Sequence, residues 1–390
     1  MISWECARGR HYERERVETG TAQLVFADNG AYDATGANAA DLVPGTQVKI
    51  SWEHPTRATF FDVWTGYAED WTTERITTRR MQTTLDAADG FELLAAAEVA
   101  PVTVGERTFV EQPVDDRIFA ALDLVNWPAQ LTNVYSGNVR LQETVYAAAT
   151  SVLNVILDAQ DAEFPGVGNA FMTREGKLAF RGRYARFNPT AYPEIKFWQL
   201  GDHAAVTAVP TRVPIFKEGM RWNTGKKSIV NSSIFTPKGV DATDVPGQLV
   251  EDLPSQAQYG IRSYSAHDLL ILEHLANGNT GLEECLLAAQ WYVTAMAQPV
   301  PRIERVVVHP FMVPLDNANA EATWDFALTC EIGDVVTVTT THPGGGGFAD
   351  DYFVERIEHR TRALNETHPW WEMTVELSPR VWYAGGWPTF

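Results

Sequence analysis

The sequence predicts a β-rich α+β fold with several domains, in which one small β-unit is built twice. The first observation is a pattern that residues 42–50 share with residues 330–338. Each contains a turn glycine, Gly45 in one and Gly333 in the other. A strand of alternating apolar residues follows the glycine in both. Aligning the two glycines superposes the two strands.

The second observation is that the strands that follow also match, in the same order. Residues 62–67 align with 353–358, and residues 81–86 align with 373–378. Three matches in one order, at similar spacing, predict a duplicated β-unit. Two copies of a ring-forming unit in one chain allow a trimer to form a ring with pseudo-sixfold symmetry.

Residues 1–100 are predicted to be mostly β. Period-two alternation and turn signals place strands over residues 21–26, 47–52, 60–67 and 81–85. A loop is predicted over 30–41, which is poor in large apolar residues. Several short strands separated by turns indicate a small barrel or sandwich.

Residues 101–200 are predicted to form a small α+β unit. Apolar residues at helical spacing predict helices over 113–124 and 144–161. Residues 170–180 predict a hairpin that turns at Glu175 and Gly176.

Residues 201–300 are predicted to form a second insert of strands and a helix. Strands over 220–223 and 229–235 flank a turn and predict a hairpin, followed by a long exposed loop over 236–254. A helix is predicted over 282–297, with candidate N-cap residues immediately before it. The second β-unit would then span 302–380, with a flexible loop at the glycine run 344–347.

Length and composition set limits on the class of protein. A chain of 390 residues with 45% hydrophobic residues allows two to four domains. The net charge of −19 argues against phosphate neutralisation as a way to bind nucleic acid, and fits either solubility or a negative wall past which DNA moves. No apolar run has transmembrane length, and the start shows no signal-peptide pattern, so synthesis in a cytosol is expected.

The chemistry-bearing residues do not form a recognisable catalytic or metal motif. Cys6, Cys285 and Cys330 lie too far apart in sequence for a zinc site, and Cys285 is expected to be a buried, inert thiol. Of the nine scattered histidines, His267 and His274 could share a helix face, although ordinary structural or surface roles are favoured.

Paired carboxylates could in principle hold an acid and a base, or calcium. With 50 acidic residues such clusters also arise by chance, and a solvated face is the favoured interpretation. No catalytic residue, cofactor or metal is predicted. The candidate clusters are Asp115 and Asp116; Asp158, Asp161 and Glu163; and Asp350 and Asp351.

Short structural motifs follow one another along nearly the whole chain. They lie at residues 8–13, 17–22, 28–30, 43–45, 63–67, 176–181, 331–338 and 353–357. In this order they resemble the minor tail proteins of actinobacterial siphophages.

The resemblance implies a baseplate (tail-tip) hub similar to tail-associated hub proteins. Residues 1–100 and 301–390 would be two tube-like β-barrel domains, with Gly45 and Gly333 at equivalent turns. Residues 101–200 and 201–300 would be α+β domains inserted between them, outside the ring.

A hub of this kind is a homotrimer that continues the tail tube around the DNA exit path. The implied partners are the distal tail protein ring, the tape-measure protein and downstream tip or fibre proteins, with DNA passing through without specific binding. The implied location is the tip of the virion tail, after assembly in the host cytoplasm. Some hubs of the family carry a C-terminal peptidase or fibre region, but this chain ends soon after the second unit.

Two other functions remain open from the sequence. One is a tail enzyme that cuts the cell wall with a carboxylate pair in an aromatic-lined cleft. The other is a host carbohydrate-binding receptor module. It is suggested by the tryptophan-rich end of the chain, which contains Trp370, Trp371, Trp382 and Trp387.

Overall fold

The computed structural model describes residues 2–28, 32, 41–77, 80–100, 103, 105–202, 211–216, 220–341, 346–365 and 368–387. The loop predicted at 30–41 lies almost entirely outside the described residues, and the glycine run 344–347 lies partly outside them.

Strands dominate the described residues. They are β1 Ser3–Gly9, β2 Glu18–Asp28, β3 Gln47–Glu53, β4 Phe60–Thr77, β5 Arg80–Ala88, β6 Glu106–Phe109, β7 Gln112–Pro113, β8 Thr132–Val134, β9 Val139–Leu141, β10 Thr144–Ala147, β11 Asn169–Met172, β12 Leu178–Arg181, β13 Phe197–Gly201, β14 Val213–Pro214, β15 Arg221–Asn223, β16 Ser232–Pro237, β17 Val250–Glu251, β18 Ser263–Leu269, β19 Ile271–His274, β20 Arg302–Val308, β21 Val335–Thr341, β22 Gly347–Asn365 and β23 His368–Pro379.

The α-helices lie mainly between the two strand-rich ends of the chain. They are α1 Gly90–Ala96, α2 Val114–Leu124, α3 Val152–Asp161, α4 Tyr184–Phe187, α5 Leu253–Tyr259, α6 Gly281–Met296 and α7 Ala320–Thr329. The predicted β-rich α+β class is therefore confirmed.

One twelve-stranded sheet contains strands from both ends of the chain. Its main path runs β14-β13-β21-β22-β1-β2-β5-β4-β3, and the strands β23, β20 and β15 continue from the other edge of β22. The remaining strands form one two-stranded and three three-stranded sheets. Strands β13, β14 and β15 of the insert also belong to the large sheet. The place of residues 101–300 outside a ring stays a prediction.

Three clusters of buried apolar side chains fill the interior. The largest packs α2, α3 and α6 against the small sheets of the insert. A second fills the C-terminal β-unit, and a third, rich in tryptophan, fills the N-terminal β-unit. Trp324 and Leu328 of α7 belong to the third cluster, so the C-terminal half contributes to the N-terminal core.

Two of the predicted helices are confirmed. The helix predicted over 113–124 is α2, and the one over 282–297 is α6. Thr280 caps α6 by accepting a hydrogen bond from the N–H of Glu283, whose side chain binds the Thr280 backbone in return. This reciprocal arrangement satisfies two backbone donors that the first turn leaves unpaired.

The helix predicted over 144–161 is only partly correct. Residues 144–147 form β10, which pairs with β6, and the helix begins at Val152 after the N-cap Ser151. Ala149 has a φ of +62°, which ends the strand and separates it from the helix. The apolar residues of the strand happen to continue the helical spacing of α3.

The hairpin predicted from residues 220–223 and 229–235 is wrong. β15 pairs with β20 in the large sheet, whereas β16 pairs with β17 and β18 in a separate sheet. The long loop predicted over 236–254 also contains β17 and the start of α5. By contrast, the hairpin predicted at 170–180 is present as β11 and β12.

Candidate functional site

The two strand-rich ends of the chain meet along β1. This strand pairs antiparallel with β2 on one edge and with residues 356–362 of β22 on the other. On one side of β1, beginning with β2, four strands pair in the order β2-β5-β4-β3. On the other side, β22 belongs to four strands that pair in the order β20-β23-β22-β21, which matches the first order strand for strand. We call these the N-terminal and C-terminal β-units, and β1 the joining strand.

Gly45 makes the turn that enters β3. Its φ is +85°, a region that glycine adopts without the steric cost of a side chain. Its N–H donates to the carbonyl of Ala68 at 2.7 Å, and the Ala68 N–H donates to the carbonyl of Thr46 at 2.8 Å. This pair of hydrogen bonds fixes where β3 begins along β4.

Gly333 makes the turn that enters β21 with a φ of +84°. Its N–H donates to the carbonyl of Val354 at 2.8 Å, and the Val354 N–H donates to the carbonyl of Asp334 at 3.0 Å. The backbone atoms and their order correspond to those at Gly45. Superposition of the two units as complete repeated domains stays a prediction.

The two units also share a β-bulge. In β4 the register against β5 shifts around Glu69, and in β22 the register against β23 shifts around Glu355. The alignments predicted for the second and third strands are wrong, because Tyr67 takes the place of Phe353 and Asp86 takes the place of Glu376. The first unit has a further register shift between Ile50 and Ser51, where the register of β21 against β22 is continuous. A period-two pattern does not reveal such an extra residue.

Glu355 is the most strongly paired carboxylate at the junction. Arg10 donates to it through Nε at 2.7 Å, and Arg186 donates through both terminal nitrogens at 2.6 and 2.9 Å. The Ser378 hydroxyl also donates to it. Burial opposes ionisation, but the charges of Arg10 and Arg186 and their hydrogen bonds outweigh it and lower the pKa of Glu355 to about 2.

This cluster connects the joining strand to the rest of the chain. Gly9, at the end of β1, has a φ of +111°, and a Cβ there would lie 2.1 Å from the carbonyl oxygen of Glu355. Only glycine allows so close an approach between the two strands. The next residue, Arg10, then turns into the protein interior and reaches the Glu355 carboxylate.

A second buried ion pair lies on the same strand. Arg8 donates to Glu331 at 2.5 Å and to the carbonyl of Met172 at 3.1 Å. Glu331 also accepts from the N–H of Arg174 at 2.9 Å. β1, the β11–β12 hairpin and the turn before Gly333 are thereby fixed together.

The β3–β4 loop of the N-terminal unit contacts helix α7. Arg57 donates to Glu321 and to Asp325 of α7, each at 2.7 Å. Arg57 and Glu321 are exposed and Asp325 is partly buried, so the pairs add little stability and mainly orient the loop.

The carboxylates proposed as acid–base or calcium candidates have other partners. Asp158 and Asp161 bind Arg16, and Glu163 is fully buried against Arg183. Asp351 binds Arg380. Within the described residues no group of acidic, histidine and cysteine side chains could hold a metal ion.

The first candidate pair lies apart from these clusters. Asp115 and Asp116 lie in the first turn of α2, where Asp115 accepts a hydrogen bond from the N–H of Gly137.

Histidine and cysteine positions also indicate structural roles. His267 and His274 lie on two different strands, β18 and β19, so a shared helix face is wrong. All three cysteines are buried and free, as predicted for Cys285. Burial raises the pKa of the Cys6 thiol to about 12, which disfavours the reactive thiolate.

The tryptophan-rich end of the chain is mostly packed inside. Trp371 and Trp382 are buried, and Trp387 packs against the largest core cluster. Trp370 is partly covered and lies under the guanidinium of Arg362 at 4.6 Å from the ring centroid. The exposed aromatic surface expected of a glycan site is therefore not formed by these described tryptophans.

Sequence reasoning missed the joining strand and its buried arginines. Trp4, Cys6 and Arg8 alternate on the buried face of β1, a signal that was present at the start of the sequence. Arginine is seldom fully buried, so the interior positions of Arg10 and Arg186 could not be expected from composition. No helix among the described residues is long and apolar enough to cross a membrane.

No protein-family model matches the sequence, and no curated protein matches it. Two solved structures resemble it over almost their whole length. The tail protein from Neisseria meningitidis MC58 aligns with a TM-score of 0.57 at 9% identity, over 99% of this chain and 95% of that chain. The 43 kDa tail protein of prophage MuSo2 from Shewanella oneidensis aligns with a TM-score of 0.57 at 11% identity, over 98% of this chain and 95% of that chain. At such identities the likeness shows that the fold is shared.

Proposed function

We propose that this chain is a structural virion protein, a trimeric tail-tip hub that closes or extends a phage tail tube. The supporting observation is that two β-units with the same strand order, turn and bulge are joined within one sheet by β1. The likeness of the fold to two tail proteins along nearly the whole chain agrees with this proposal.

The duplicated units supply the mechanism. Three copies with two units each would place six similar units around one axis, which adapts a threefold particle to a sixfold tube. In this arrangement residues 1–100 and 301–390 form the two tube-like β-barrel domains. Residues 101–200 and 201–300 brace them, apart from the insert strands that join the large sheet.

The acidic charge fits a passage for DNA. A net charge of −19 repels phosphates and argues against binding DNA by neutralising them. The proposed hub surrounds the DNA exit path, and contacts the distal tail protein ring, the tape-measure protein and downstream tip or fibre proteins. It is assembled in the host cytoplasm and resides in the tail tip of an actinobacterial siphophage.

The two alternatives receive less support. A cell-wall hydrolase needs a pair of carboxylates open to substrate, but the described candidates Asp158, Asp161 and Glu163 bind arginines. A glycan-binding module needs accessible aromatic rings, but Trp371 and Trp382 are buried. The structural role is therefore the one favoured.

Sedimentation of the purified full chain tests the proposal. A trimer of the 43.4 kDa chain is expected, and its population should rise with protein concentration. A chain that stays monomeric over the whole accessible concentration range, alone and with tail extract, would contradict the proposal. Zymography on host cell wall is run in parallel, and lysis would favour the enzyme instead.

A further inference from the structure

The joining strand shows how two β-units connect inside one chain. Within β1, Glu5 lies opposite Gln23 of β2 and opposite Arg360 of β22. The side chains of Glu5 and Arg360 form an ion pair at 3.1 Å. β1 thus extends the C-terminal unit at one edge and begins the N-terminal unit at the other.

β15 occupies the corresponding place on the C-terminal unit. Gln23 of β2 lies opposite Asp86, and Arg305 of β20 lies opposite Glu376, which takes the place of Asp86. The residue of β15 opposite Arg305 is Arg221. Arg221 therefore takes the place of Glu5, with the opposite charge.

The outer half of β4 corresponds to the half of β22 that receives β1. Counting from the shared bulge, Asp70 takes the place of Arg356, and Glu74 takes the place of Arg360. In the part of the chain that the structure describes, residues 70–76 pair with β5 on one edge, and no strand pairs with the other edge.

β15 has an open edge as well. Its described strand partner is β20 alone. The side chain of Arg221 is 71% exposed, and it forms an ion pair with Glu304 of β20 at 2.9 Å. Open edges of this kind are templates for pairing with another chain.

We propose that β15 of one copy of this chain adds antiparallel to residues 70–76 of a second copy, with Arg221 opposite Glu74. This inference rests on the proposed ring and names the strands that close it. The contact repeats, between two chains, what β1 does within one chain.

Charge complementarity selects a second copy as the occupant. Inside the chain a negative residue on the joining strand, Glu5, meets a positive one, Arg360. Between chains both signs are reversed, since Arg221 would meet Glu74. The reversal preserves attraction at each contact and disfavours exchange of β15 for β1, because Arg221 opposite Arg360 would repel.

The contact is heterologous, because one copy contributes β15 and the other contributes β4. In an open chain of copies, one terminal copy has an unpaired β15 and the other has unpaired residues 70–76. Such head-to-tail contacts form a closed ring when the rotation between neighbours allows it. The edge strands would then be covered in the assembled particle.

Disulfide formation between introduced cysteines tests the register of β15 against residues 70–76. Directly opposite residues on antiparallel strands have Cα atoms about 4.5–5.5 Å apart, which is within the range that a disulfide spans. We mix the full chain carrying Glu74→Cys with the full chain carrying Arg221→Cys, and oxidise the mixture. The expected product is a covalent dimer of two 43.4 kDa chains on a non-reducing gel.

Two controls match this experiment. Arg75→Cys in place of Glu74→Cys puts the thiol on the other face of the strand, so the dimer should be lost. Glu5→Cys with Arg360→Cys in one chain should form the corresponding internal disulfide, which verifies the oxidation conditions. The native cysteines are buried and remain in place.

The outcomes separate this inference from the proposed function. The strand contact is supported if Arg221→Cys forms disulfide-linked dimers with Glu74→Cys but not with Arg75→Cys. If the protein is an oligomer by sedimentation but forms no disulfide-linked dimer, or forms equal amounts with both cysteine pairs, the strand contact is overturned. The ring proposal then still stands. A monomer that gives no dimer overturns both.

Charge reversal provides a second test that leaves native side-chain sizes nearly intact. Arg221→Glu should weaken association by about fivefold through like charges across the strands. Combining it with Glu74→Arg should restore association. Weakening without recovery in the double variant would contradict the proposed pairing.

Discussion

Replacing Glu355 with glutamine should strongly destabilise the junction between the two β-units. The change keeps the size of the side chain and removes its charge. Arg10 and Arg186, both buried, would then share one neutral acceptor in place of a carboxylate. Breaking a buried ion pair from one side costs about 3–5 kcal/mol, because the remaining charge stays buried without compensation.

The pKa of Glu355 gives an independent magnitude. A carboxyl whose pKa falls from 4.5 to about 2 on folding contributes about 3 kcal/mol at neutral pH. Because the folded-state pKa is the lower one, this stability is present above about pH 4.5 and is lost as the pH falls towards 2. The two magnitudes agree.

Glu69 is the matched control. It occupies the same bulge position in the N-terminal unit, but it is exposed. Glu69→Gln should change the free energy of unfolding by less than about 0.5 kcal/mol, as surface substitutions usually do.

Urea unfolding followed by tryptophan fluorescence measures all three proteins between pH 7 and pH 3. The wild type and Glu355→Gln should differ by about 3 kcal/mol at pH 7, and the difference should shrink steadily below pH 4.5. A difference below about 1 kcal/mol at pH 7, or one that stays constant down to pH 3, would refute the reasoning.

Three further predictions concern other parts of the chain. Gly9→Ala should destabilise the protein far more than Gly45→Ala, because a Cβ at Gly9 meets the Glu355 carbonyl whereas one at Gly45 meets nothing within 4 Å. Thermal unfolding of the two variants checks this, and equal shifts in Tm would contradict it. Thr280→Ala removes the cap of α6 and should cost about 1 kcal/mol in urea unfolding, with Thr280→Ser as the neutral control. The three buried cysteines should resist a thiol reagent in the native protein and all react in urea, and fast labelling of the native protein would show that a thiol is accessible.

The parts of the fold that the sequence predicted are those with a strong local signal. Gly45 and Gly333 stood out because a turn that requires positive φ precedes an alternating strand in both places. The helix α6 was predicted because N-cap candidates and two acidic residues, Glu283 and Glu284, begin a long apolar stretch. The structure shows that Thr280 and Glu283 form a capping box there.

The parts that were missed depend on contacts distant in sequence. The partner of β15 is β20, about eighty residues later in the chain, and a hairpin with β16 was the nearest local alternative. The place of β1 between the two units, and the neutralisation of Glu355 by Arg10 and Arg186, arise only after the chain ends have come together.

In the candidate site too, features with a local signal were predicted and features that depend on distant contacts were missed. Local patterns suggested the duplicated turns, but the alignment of the strands beyond them depends on strand pairing, including the register shift between Ile50 and Ser51 in the first unit. Acidic pairs that looked available in the sequence became partners of arginines in the fold. Pairing between distant charges decides which carboxylates remain open, and sequence spacing does not contain that information.

Electron cryomicroscopy of the purified full-length particle tests the central claim most directly. The claim predicts a closed ring with threefold symmetry, in which six β-units alternate around a central hole at nearly sixfold spacing. Each chain should contribute two neighbouring units joined by β1. A closed particle with another symmetry, or one in which the N-terminal and C-terminal units occupy different radii, would contradict the claim.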